Sequence, residues 1–250
     1  MILTKKFDQL KEDAGRILRK ILYKGNRKNP YERIIPYSQY APWYLDTEFM
    51  AAYKSIEAKK ATLVDLYRCY ELNSLAKQVS SVHPNACNIL EVGVYRGGTG
   101  AILASAVKNN NNALVHLADT FEGVVKVTDR DKTYTGGEHA NTSLEFVRQL
   151  LKDMGLSNTR LYKGIFPDDV SESFNDMTLH LVHIDVDVYQ SGKDVLEYVW
   201  PRLVSGGIIV FDDYGFQSTN GITELCNELQ KKLDAVFIYN LNAHGIFVKK

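Results

Sequence analysis

Short apolar runs alternate with amphipathic segments along most of the chain. Runs rich in β-branched residues that end at polar residues are typical of buried strands, whereas apolar positions three and four residues apart indicate helices. This pattern predicts strands at 87–93, 113–118, 159–162, 181–184 and 207–211, and helices at 99–107, 142–154, 191–200 and 221–232. Strands and helices that alternate at this spacing indicate an α/β fold with a mostly parallel sheet. The last two apolar runs, 235–239 and 245–248, predict a C-terminal hairpin.

The N-terminal third of the chain has a different pattern. Residues 2–23 place apolar side chains at helical spacing among basic residues, which predicts an amphipathic basic helix. Such a helix can lie on an anionic membrane surface, but it more often packs on its own domain or on a second subunit, so we expect a homo-oligomer. An aromatic segment at 31–44 predicts a covering loop, and helices are expected at about 48–58 and 62–82. We therefore expect a helical extension over 1–82, which contacts a second subunit and covers the site, and a second domain over 83–250.

Two predicted strands end in pairs of carboxylates. Asp185 and Asp187 follow the apolar run that begins at Leu181, and Asp212 and Asp213 follow the next strand. If these strands are parallel neighbours, the four side chains converge, and their mutual repulsion favours a bound cation. Carboxylate oxygens suit Mg²⁺, Mn²⁺ or Ca²⁺ rather than zinc. The simpler alternative, that these aspartates cap helices or face solvent, explains a single aspartate better than two consecutive pairs.

The first strand leads into a glycine-rich turn, EVGVYRGGTG, at 91–100. Glycines let the backbone approach a ligand, and the N-terminus of the following helix offers free N–H groups. Three residues separate Gly93 from Gly97, so the turn is not the GxGxxG of dinucleotide-binding folds. Asp119 ends the second strand, where an acidic residue holds a ribose diol in doubly wound folds. A tight strand-to-helix connection explains the turn alone equally well, but the turn together with Asp119 favours a ligand site.

The composition of the chain limits which kinds of binding partner and which cellular compartment are expected. Lys and Arg together number 30, as do Asp and Glu, so the chain offers no general electrostatic attraction for nucleic acid. Cys69, Cys87 and Cys226 lack CxxC spacing, which indicates core residues rather than zinc ligands or disulfides. A secretory signal and an apolar stretch of membrane-spanning length are not expected, so we predict a soluble cytoplasmic protein. His183 is predicted to be a core residue, and His244 carries no recognisable signal.

Four blocks of the sequence, in this order, resemble the macrocin O-methyltransferase (TylF/MycF-type) family: EVGVYRGGT at 91–99, DTFEG at 119–123, HIDVDVY at 183–189 and GGIIVFDDY at 206–214. The resemblance runs from about residue 40 to the C-terminus. Members of this family are metal-dependent enzymes that transfer a methyl group from S-adenosylmethionine to sugar hydroxyls. The resemblance implies a Rossmann-like class I methyltransferase fold, whose seven-stranded, mostly parallel sheet has an antiparallel C-terminal hairpin and an N-terminal helical extension.

The resemblance also implies roles for individual residues. Mg²⁺ or Mn²⁺ would bind Asp187, Asp212 and Asp213, with Asp185 as a further ligand or a neighbour of the cofactor. The substrate would be a small glycosylated acceptor. S-adenosylmethionine would lie on the glycine-rich turn and the strand ends around it, and its expected contacts are Glu91, Gly93, Tyr95, Arg96, Gly97, Gly98, Thr99, Asp119, Phe121 and Asp185.

The chemistry of methyl transfer suggests candidates for catalysis. Asp187 is the predicted proton acceptor, since it lies at the expected metal site. The polar segment 124–140 predicts a lid that excludes water, and Glu138 and His139 within it are candidates for base catalysis, although a mobile, solvated loop explains each of them better. Catechol-type methyltransferases carry a lysine three residues after the first strand-end aspartate, whereas Val188 stands at that position here. A lysine-driven phenol mechanism is therefore disfavoured.

Two other classes of function remain open from the sequence. An NAD-linked oxidoreductase could share this type of sheet, but the spacing of the glycines speaks against it. A non-catalytic cofactor-binding or interaction module could dock on a partner or a membrane through its basic N-terminal helix.

Overall fold

The computed structural model describes residues 13–15, 17–18, 30–31, 38 and 40–250. Residues 39–250 form one compact unit and residues 1–38 form another. Within 1–38, residues 13–15 and 17–18 are helical, and the rest of the predicted helix at 2–23 lies outside the described residues. In the predicted aromatic segment, Pro42–Tyr44 form a short 3-10 helix, while 32–37 and 39 lie outside the described residues.

A seven-stranded sheet organises the larger unit, with strand order β3-β2-β1-β4-β5-β7-β6. Strands β1 to β5 pair in parallel, and β7 pairs antiparallel with both β5 and β6. The predicted mostly parallel sheet with its C-terminal hairpin is therefore confirmed. The strands are β1 Cys87–Val92, β2 Ala113–Asp119, β3 Thr159–Lys163, β4 Leu179–Ile184, β5 Leu203–Phe211, β6 Ala235–Tyr239 and β7 Gly245–Lys249.

Helices cover both faces of this sheet, and their bounds agree with the predicted ones to within a few residues. Side-chain caps explain several starting points, since Asp46, Asp65 and Ser143 each accept hydrogen bonds from backbone N–H groups in the first turn of the helix that follows. Within the described part of the chain, no helix is both long and apolar enough to cross a membrane. The helices are α1 Thr47–Ala58, α2 Leu66–Val82, α3 Gly98–Val107, α4 Leu144–Asp153, α5 Tyr189–Val199 and α6 Asn220–Leu229.

Two apolar layers, one on each face of the sheet, form the core. Successive side chains of a strand point to opposite faces, so Ile89 of β1 joins the layer under α1 to α4, whereas Leu90 joins the layer under α5 and α6. All six residues of β4 are buried, as expected for a central strand covered on both sides. Burial of each large aliphatic side chain stabilises the fold by about 1.5–3 kcal/mol.

The helices α1 and α2 belong to the same compact unit as the sheet. Phe49 and Ile56 of α1 and Leu72 of α2 are buried in the layer that also contains Ile89 of β1. The compact unit therefore begins at residue 39 and not at residue 83. The predicted roles of residues 1–82, contact with a second subunit and cover for the site, remain predictions.

The sheet changes its winding direction between β1 and β4, which are neighbours although β2 and β3 precede β4 in the chain. In doubly wound folds, the carboxyl ends of the strands at such a point border the ligand crevice. The turn after β1 and the end of β4 are in very close contact here. A Cβ atom added to Gly93, whose φ is +90°, would lie 1.7 Å from the carbonyl oxygen of Asp185.

This contact predicts that Gly93→Ala is far more damaging than an equivalent change elsewhere. Gly137 is a matched control, because its φ is +86° but a Cβ there would meet nothing within 4 Å. We expect Gly137→Ala to cost about 1–2 kcal/mol of unfolding free energy from backbone strain alone. Gly93→Ala should cost roughly 3 kcal/mol or more, because the steric clash adds to the strain. Urea denaturation of both variants measures the difference, and equal costs would show that the two strand ends can move apart freely.

Candidate active site

A large cavity opens at the carboxyl ends of β1, β2, β4 and β5. Its volume is about 360 Å³. The turn after β1, the loop after β2, the residues that follow β4 and β5, and the start of α2 all contribute to its wall. Large concave sites at the strand ends of α/β folds are the usual positions for ligands. The predicted glycine-rich turn and the predicted acidic residues thus border one cavity.

Asp119 ties the glycine-rich turn to the loop that follows β2. Its Oδ2 accepts hydrogen bonds from the N–H groups of Val94 at 2.6 Å and Tyr95 at 2.9 Å. Its Oδ1 accepts one from the N–H of Phe121 at 2.6 Å. A carboxylate offers about four acceptor positions, so these three bonds leave capacity for a hydroxyl donor from the cavity. Asp119 therefore both shapes the cavity wall and faces the space that a ligand would occupy.

The predicted cofactor contacts divide into two groups in the structure. Five of them line the cavity: Gly93, Tyr95, Thr99, Asp119 and Asp185. The other five support the turn from behind or pack beside it: Glu91, Arg96, Gly97, Gly98 and Phe121. Their predicted role in binding a cofactor stays a prediction, because their described contacts are with the protein itself.

Glu91 and Arg96 illustrate the second group. Glu91 is fully buried, and its Oε1 lies 2.9 Å from Nδ1 of His183. The guanidinium of Arg96 lies over the ring of Phe146, 4.1 Å from its centroid, and donates a 3.3 Å hydrogen bond to the carbonyl of Asn141. Both side chains fix the turn in place and leave its backbone to face the cavity.

The two strand-end carboxylate pairs converge as the sequence predicts. Ile184 of β4 pairs with Phe211 of β5, so the residues that follow these two strands lie side by side. One carboxylate oxygen from each of Asp185, Asp212 and Asp213 lies within 4.8 Å of the other two. Burial and repulsion from Asp212 raise the pKa values of Asp185 and Asp213 well above the ordinary value. Three hard oxygen donors at this spacing fit a divalent cation such as Mg²⁺ or Mn²⁺.

Asp187 lies beside this trio in a different environment. Its backbone is in the left-handed region, with φ at +63°, and its Oδ1 accepts a 2.6 Å hydrogen bond from the hydroxyl of Tyr134. Burial raises the pKa of Asp187, and the hydrogen bond from Tyr134 only partly offsets this shift. The structure therefore brings Asp185, rather than Asp187, into the closest carboxylate group with Asp212 and Asp213.

Three basic side chains surround Asp212, and none of them was predicted to contact it. Arg68 of α2 donates from Nη1 to Oδ2 of Asp212, and Nε2 of His244 lies 2.8 Å from Oδ1. The Nε2 atom of His183 is 3.9 Å from the same Oδ1 and has no hydrogen-bond partner among the described residues. Burial would raise the pKa of Asp212, but the facing ring of His183, the hydrogen bond with His244 and the charge of Arg68 hold it well below the ordinary value.

Sequence reasoning could not have found these contacts. His183 is buried as predicted, but its neighbours are two carboxylates rather than apolar side chains alone. His244 precedes β7 and Arg68 lies in the first turn of α2, 144 residues away from Asp212 in the chain. A single arginine in a helix is usually a surface residue, so its burial was not predictable from pattern.

Four residues of the loop at 124–140 line the cavity: Val124, Val125, Tyr134 and His139. Glu138, the other predicted base candidate, has a different position. Its exposed carboxylate accepts hydrogen bonds from the N–H and hydroxyl of Thr135 and from the N–H of Gly136. The backbone hydrogen bond from Thr135 is the main reason that the pKa of Glu138 falls to about 2. Glu138 therefore holds the loop in shape, and its predicted part in base catalysis stays a prediction.

The buried position of His183 predicts an unusual titration. Burial lowers its pKa, but the facing carboxylates of Asp212 and Glu91 more than compensate and raise it to about 10. A raised histidine pKa stabilises the fold below the unfolded value of about 6.5, and this stabilisation is lost as pH rises through about 10. NMR of ¹³C-labelled histidine should therefore find His183 still charged at about pH 8. A His183 resonance that titrates near pH 6.5, like an exposed histidine, would contradict this assignment.

Comparison with known proteins agrees with this architecture. The model of the family described as Macrocin-O-methyltransferase (TylF) matches residues 57–250. Mycinamicin III 3''-O-methyltransferase of Micromonospora griseorubida is 31% identical over 140 residues, which cover 51% of this chain and 55% of that protein. An 8-demethyl-8-(2,3-dimethoxy-alpha-L-rhamnosyl)-tetracenomycin-C 4'-O-methyltransferase of Streptomyces olivaceus is 29% identical over 142 residues, with 52% and 54% covered. The matched region thus spans about half the length of these curated relatives.

Solved structures share the fold at lower identity. The O-methyltransferase NovP superimposes with a TM-score of 0.65 at 20% identity, covering 76% of this chain and 82% of that chain. The calicheamicin methyltransferase CalS11 gives a TM-score of 0.64 at 18% identity, covering 84% and 94%. These likenesses confirm the expected Rossmann-like methyltransferase fold. Because the family model covers most of the chain, and because the four predicted sequence blocks converge on one cavity, this chain belongs to the macrocin O-methyltransferase family.

Proposed function

We propose that this chain is an S-adenosylmethionine-dependent O-methyltransferase that needs a divalent cation and methylates a hydroxyl of a sugar in a natural product or surface glycan. One observation carries the proposal: the glycine-rich turn with Asp119 and the trio Asp185, Asp212 and Asp213 border the same cavity. A methyl donor and a cation that activates the acceptor hydroxyl need such an arrangement, because the two reacting atoms have to be held in line.

The names of the relatives support the sugar acceptor. Two of them are named for methylating mycinamicin III and a rhamnosyl tetracenomycin, and CalS11 is described in a second structure as a TDP-rhamnose 3'-O-methyltransferase. The identity of the acceptor of this chain, and the hydroxyl that is methylated, depend on contacts that vary between members of a fold. The predicted homo-oligomer, the cytoplasmic location and the absence of a nucleic-acid partner remain predictions.

The residues present fit both groups that this reaction requires. When bound, S-adenosylmethionine supplies an activated methyl group, and a divalent cation lowers the pKa of the acceptor hydroxyl by Lewis acidity. Asp119 and the backbone of the glycine-rich turn would hold the cofactor, with Asp119 accepting from its ribose hydroxyls. Asp185, Asp212 and Asp213 would hold the cation, because their oxygens form a compact group with elevated pKa values at Asp185 and Asp213 that a cation would bring down.

Asp187 is suited to accept the proton that leaves the acceptor hydroxyl. Burial raises its pKa, which makes this carboxylate a stronger proton acceptor than an exposed one. The hydroxyl of Tyr134 fixes the orientation of Asp187 and connects it to the loop at 124–140. His139 lies at the cavity wall on the same loop, and its ring is nearly perpendicular to that of Tyr95, with 5.9 Å between the ring centroids. The loop would therefore exclude water while it completes the site.

Cofactor binding is the first measurable consequence. Isothermal titration with S-adenosylmethionine and S-adenosylhomocysteine should give micromolar dissociation constants. Asp119→Asn should weaken both by at least about tenfold, because the amide keeps only part of the acceptor capacity of the carboxylate. Glu138→Gln is the matched control, since its side chain contacts only its own loop, and it should leave affinity within about threefold. Absence of binding by the unmodified protein would refute the methyltransferase proposal.

The cation should be required for transfer but not for cofactor binding. Asp185→Asn and Asp213→Asn are each expected to lower the methylation rate by about a hundredfold or more, because one cation ligand is lost. Affinity for S-adenosylhomocysteine should change little in Asp213→Asn, since Asp213 is not among the expected cofactor contacts. Asp234→Asn is a suitable control, because Asp234 is exposed and forms an ion pair with Lys250 at the C-terminal end of the sheet hairpin. Turnover of a glycosylated acceptor that persists unchanged in excess EDTA would rule out the cation.

A further inference from the structure

Arg68 is a buried cation whose position is fixed by the N-terminal turn of its own helix. Only 8% of its side chain is exposed. Asp65, the N-cap of α2, accepts hydrogen bonds at Oδ1 from the N–H groups of Tyr67 and Arg68, while its Oδ2 lies 2.9 Å from Nε of the Arg68 side chain. One carboxylate thus caps the helix and orients the guanidinium.

The other end of this guanidinium meets the carboxylate group at the strand ends. Its Nη1 donates to Oδ2 of Asp212 and lies 3.5 Å from Oδ1 of Asp213. His244 holds the remaining oxygen, Oδ1, of Asp212. Both oxygens of Asp212 are therefore engaged by protein groups, and two of the three residues that could coordinate a cation already face a positive charge.

We propose that Arg68 is a built-in counter-ion of the cluster formed by Asp185, Asp212 and Asp213, and that a divalent cation has to displace its guanidinium to bind there. Arg68 thereby sets how tightly the site holds a cation. This inference rests on the cation site of the proposed function, but it concerns a residue outside the ligand set.

Electrostatics explains why the two cations compete. A guanidinium a few ångströms from a divalent ion repels it strongly where water is excluded, and an oxygen that accepts a short hydrogen bond cannot also direct that lone pair at a metal. Without any cation, however, the buried carboxylates would repel one another. Arg68 reduces this repulsion in the cation-free protein. When a metal binds, the stabilising interaction between Arg68 and the carboxylates is lost, which weakens metal binding.

The guanidinium also has a contact that does not depend on Asp212. The ring of Phe216 lies 5.3 Å from Cζ of Arg68, within the range of a cation–π contact, and Phe216 also lines the cavity. The salt bridge to Asp65 anchors the side chain at Nε while Nη1 is free to leave Asp212. The displacement therefore needs rotation of one side chain and no movement of the helix.

Titration with Mn²⁺, followed by calorimetry and by the loss of the free-ion EPR signal, tests the inference without any turnover. Arg68→Met removes the charge and keeps most of the side-chain volume. We expect this variant to bind Mn²⁺ at least about tenfold more tightly than the unmodified protein. It should also unfold at a lower temperature in EDTA and gain more thermal stability from Mn²⁺.

A second variant keeps the test decisive if Arg68→Met folds poorly. Asp65→Ser retains a side-chain oxygen for the N-cap but removes the anchor of the guanidinium, so it should raise Mn²⁺ affinity by a smaller factor, about threefold. Arg202→Met is the matched control, because Arg202 also packs on an aromatic ring, Tyr198, but lies at the opposite end of β5. It should leave Mn²⁺ affinity unchanged.

The outcomes separate this inference from the proposed function. If the unmodified protein binds Mn²⁺ and Arg68→Met binds it equally or more weakly, Arg68 orients the carboxylates instead of competing, and the inference is wrong while the cation site stands. If neither protein binds Mn²⁺ but both bind S-adenosylhomocysteine, the inference and the cation requirement both fall, and the methyltransferase assignment remains. Failure to bind S-adenosylhomocysteine would count against the methyltransferase assignment alone.

Discussion

The site depends on one constraint, the parallel register that sets the ends of β1, β4 and β5 side by side. The N–H of Asp185 donates to the carbonyl of Val92, and the N–H of Asp212 donates to the carbonyl of Ile184, so the backbone ladder continues one residue beyond each pair of strands. This continuation leaves little freedom in the positions of the carboxylates. Their repulsion is consequently a fixed property of the fold, and the surrounding residues have to balance it.

Asp212 is the centre of that balance. Glu91 faces His183, His183 faces Asp212, and His244 connects Asp212 to Glu71 of α2. Arg68 also pairs with Asp212. Three carboxylates, those of Glu91, Asp212 and Glu71, are thus neutralised by three basic side chains, those of His183, His244 and Arg68. Buried ionisable groups are tolerated when each has a partner of opposite charge, and Asp212 has three such partners. Within the described part of the chain, Asp185 and Asp213 have fewer basic partners than Asp212, Arg68 lying 3.5 Å from Asp213, so they are suited to bind a cation from solution.

The methyltransferase proposal and the role of Arg68 follow from the same arrangement. The glycine-rich turn passes within contact distance of the end of β4, so a cofactor on the turn would lie next to the carboxylates. Asp187 and Tyr134 close the cavity from the side of the loop at 124–140. Cofactor, cation and proton acceptor would then share one water-poor space, where fixed charges have their largest effect on a reacting hydroxyl. A resident guanidinium in that space links the stability of the cation-free protein to the affinity for the cation.

The local sequence pattern was sufficient to predict much of the fold and the acidic part of the site. Apolar periodicity and glycine positions predicted the succession of strands and helices along the chain. The carboxylate pairs after the fourth and fifth strands predicted the acidic cluster. Both predictions were possible because they depend on residues that are neighbours in sequence. Only the tertiary structure decided which aspartates group together. Asp187 and Asp213 both have a left-handed backbone, yet the carboxylate of Asp213 lies within 4.8 Å of those of Asp185 and Asp212, whereas Asp187 accepts a hydrogen bond from Tyr134. The partners of Asp212, namely Arg68, His183 and His244, likewise come from separate elements brought together by packing. Sequence spacing carries no information about such contacts, because burial and charge pairing between distant segments are set by the folded sheet and its helices.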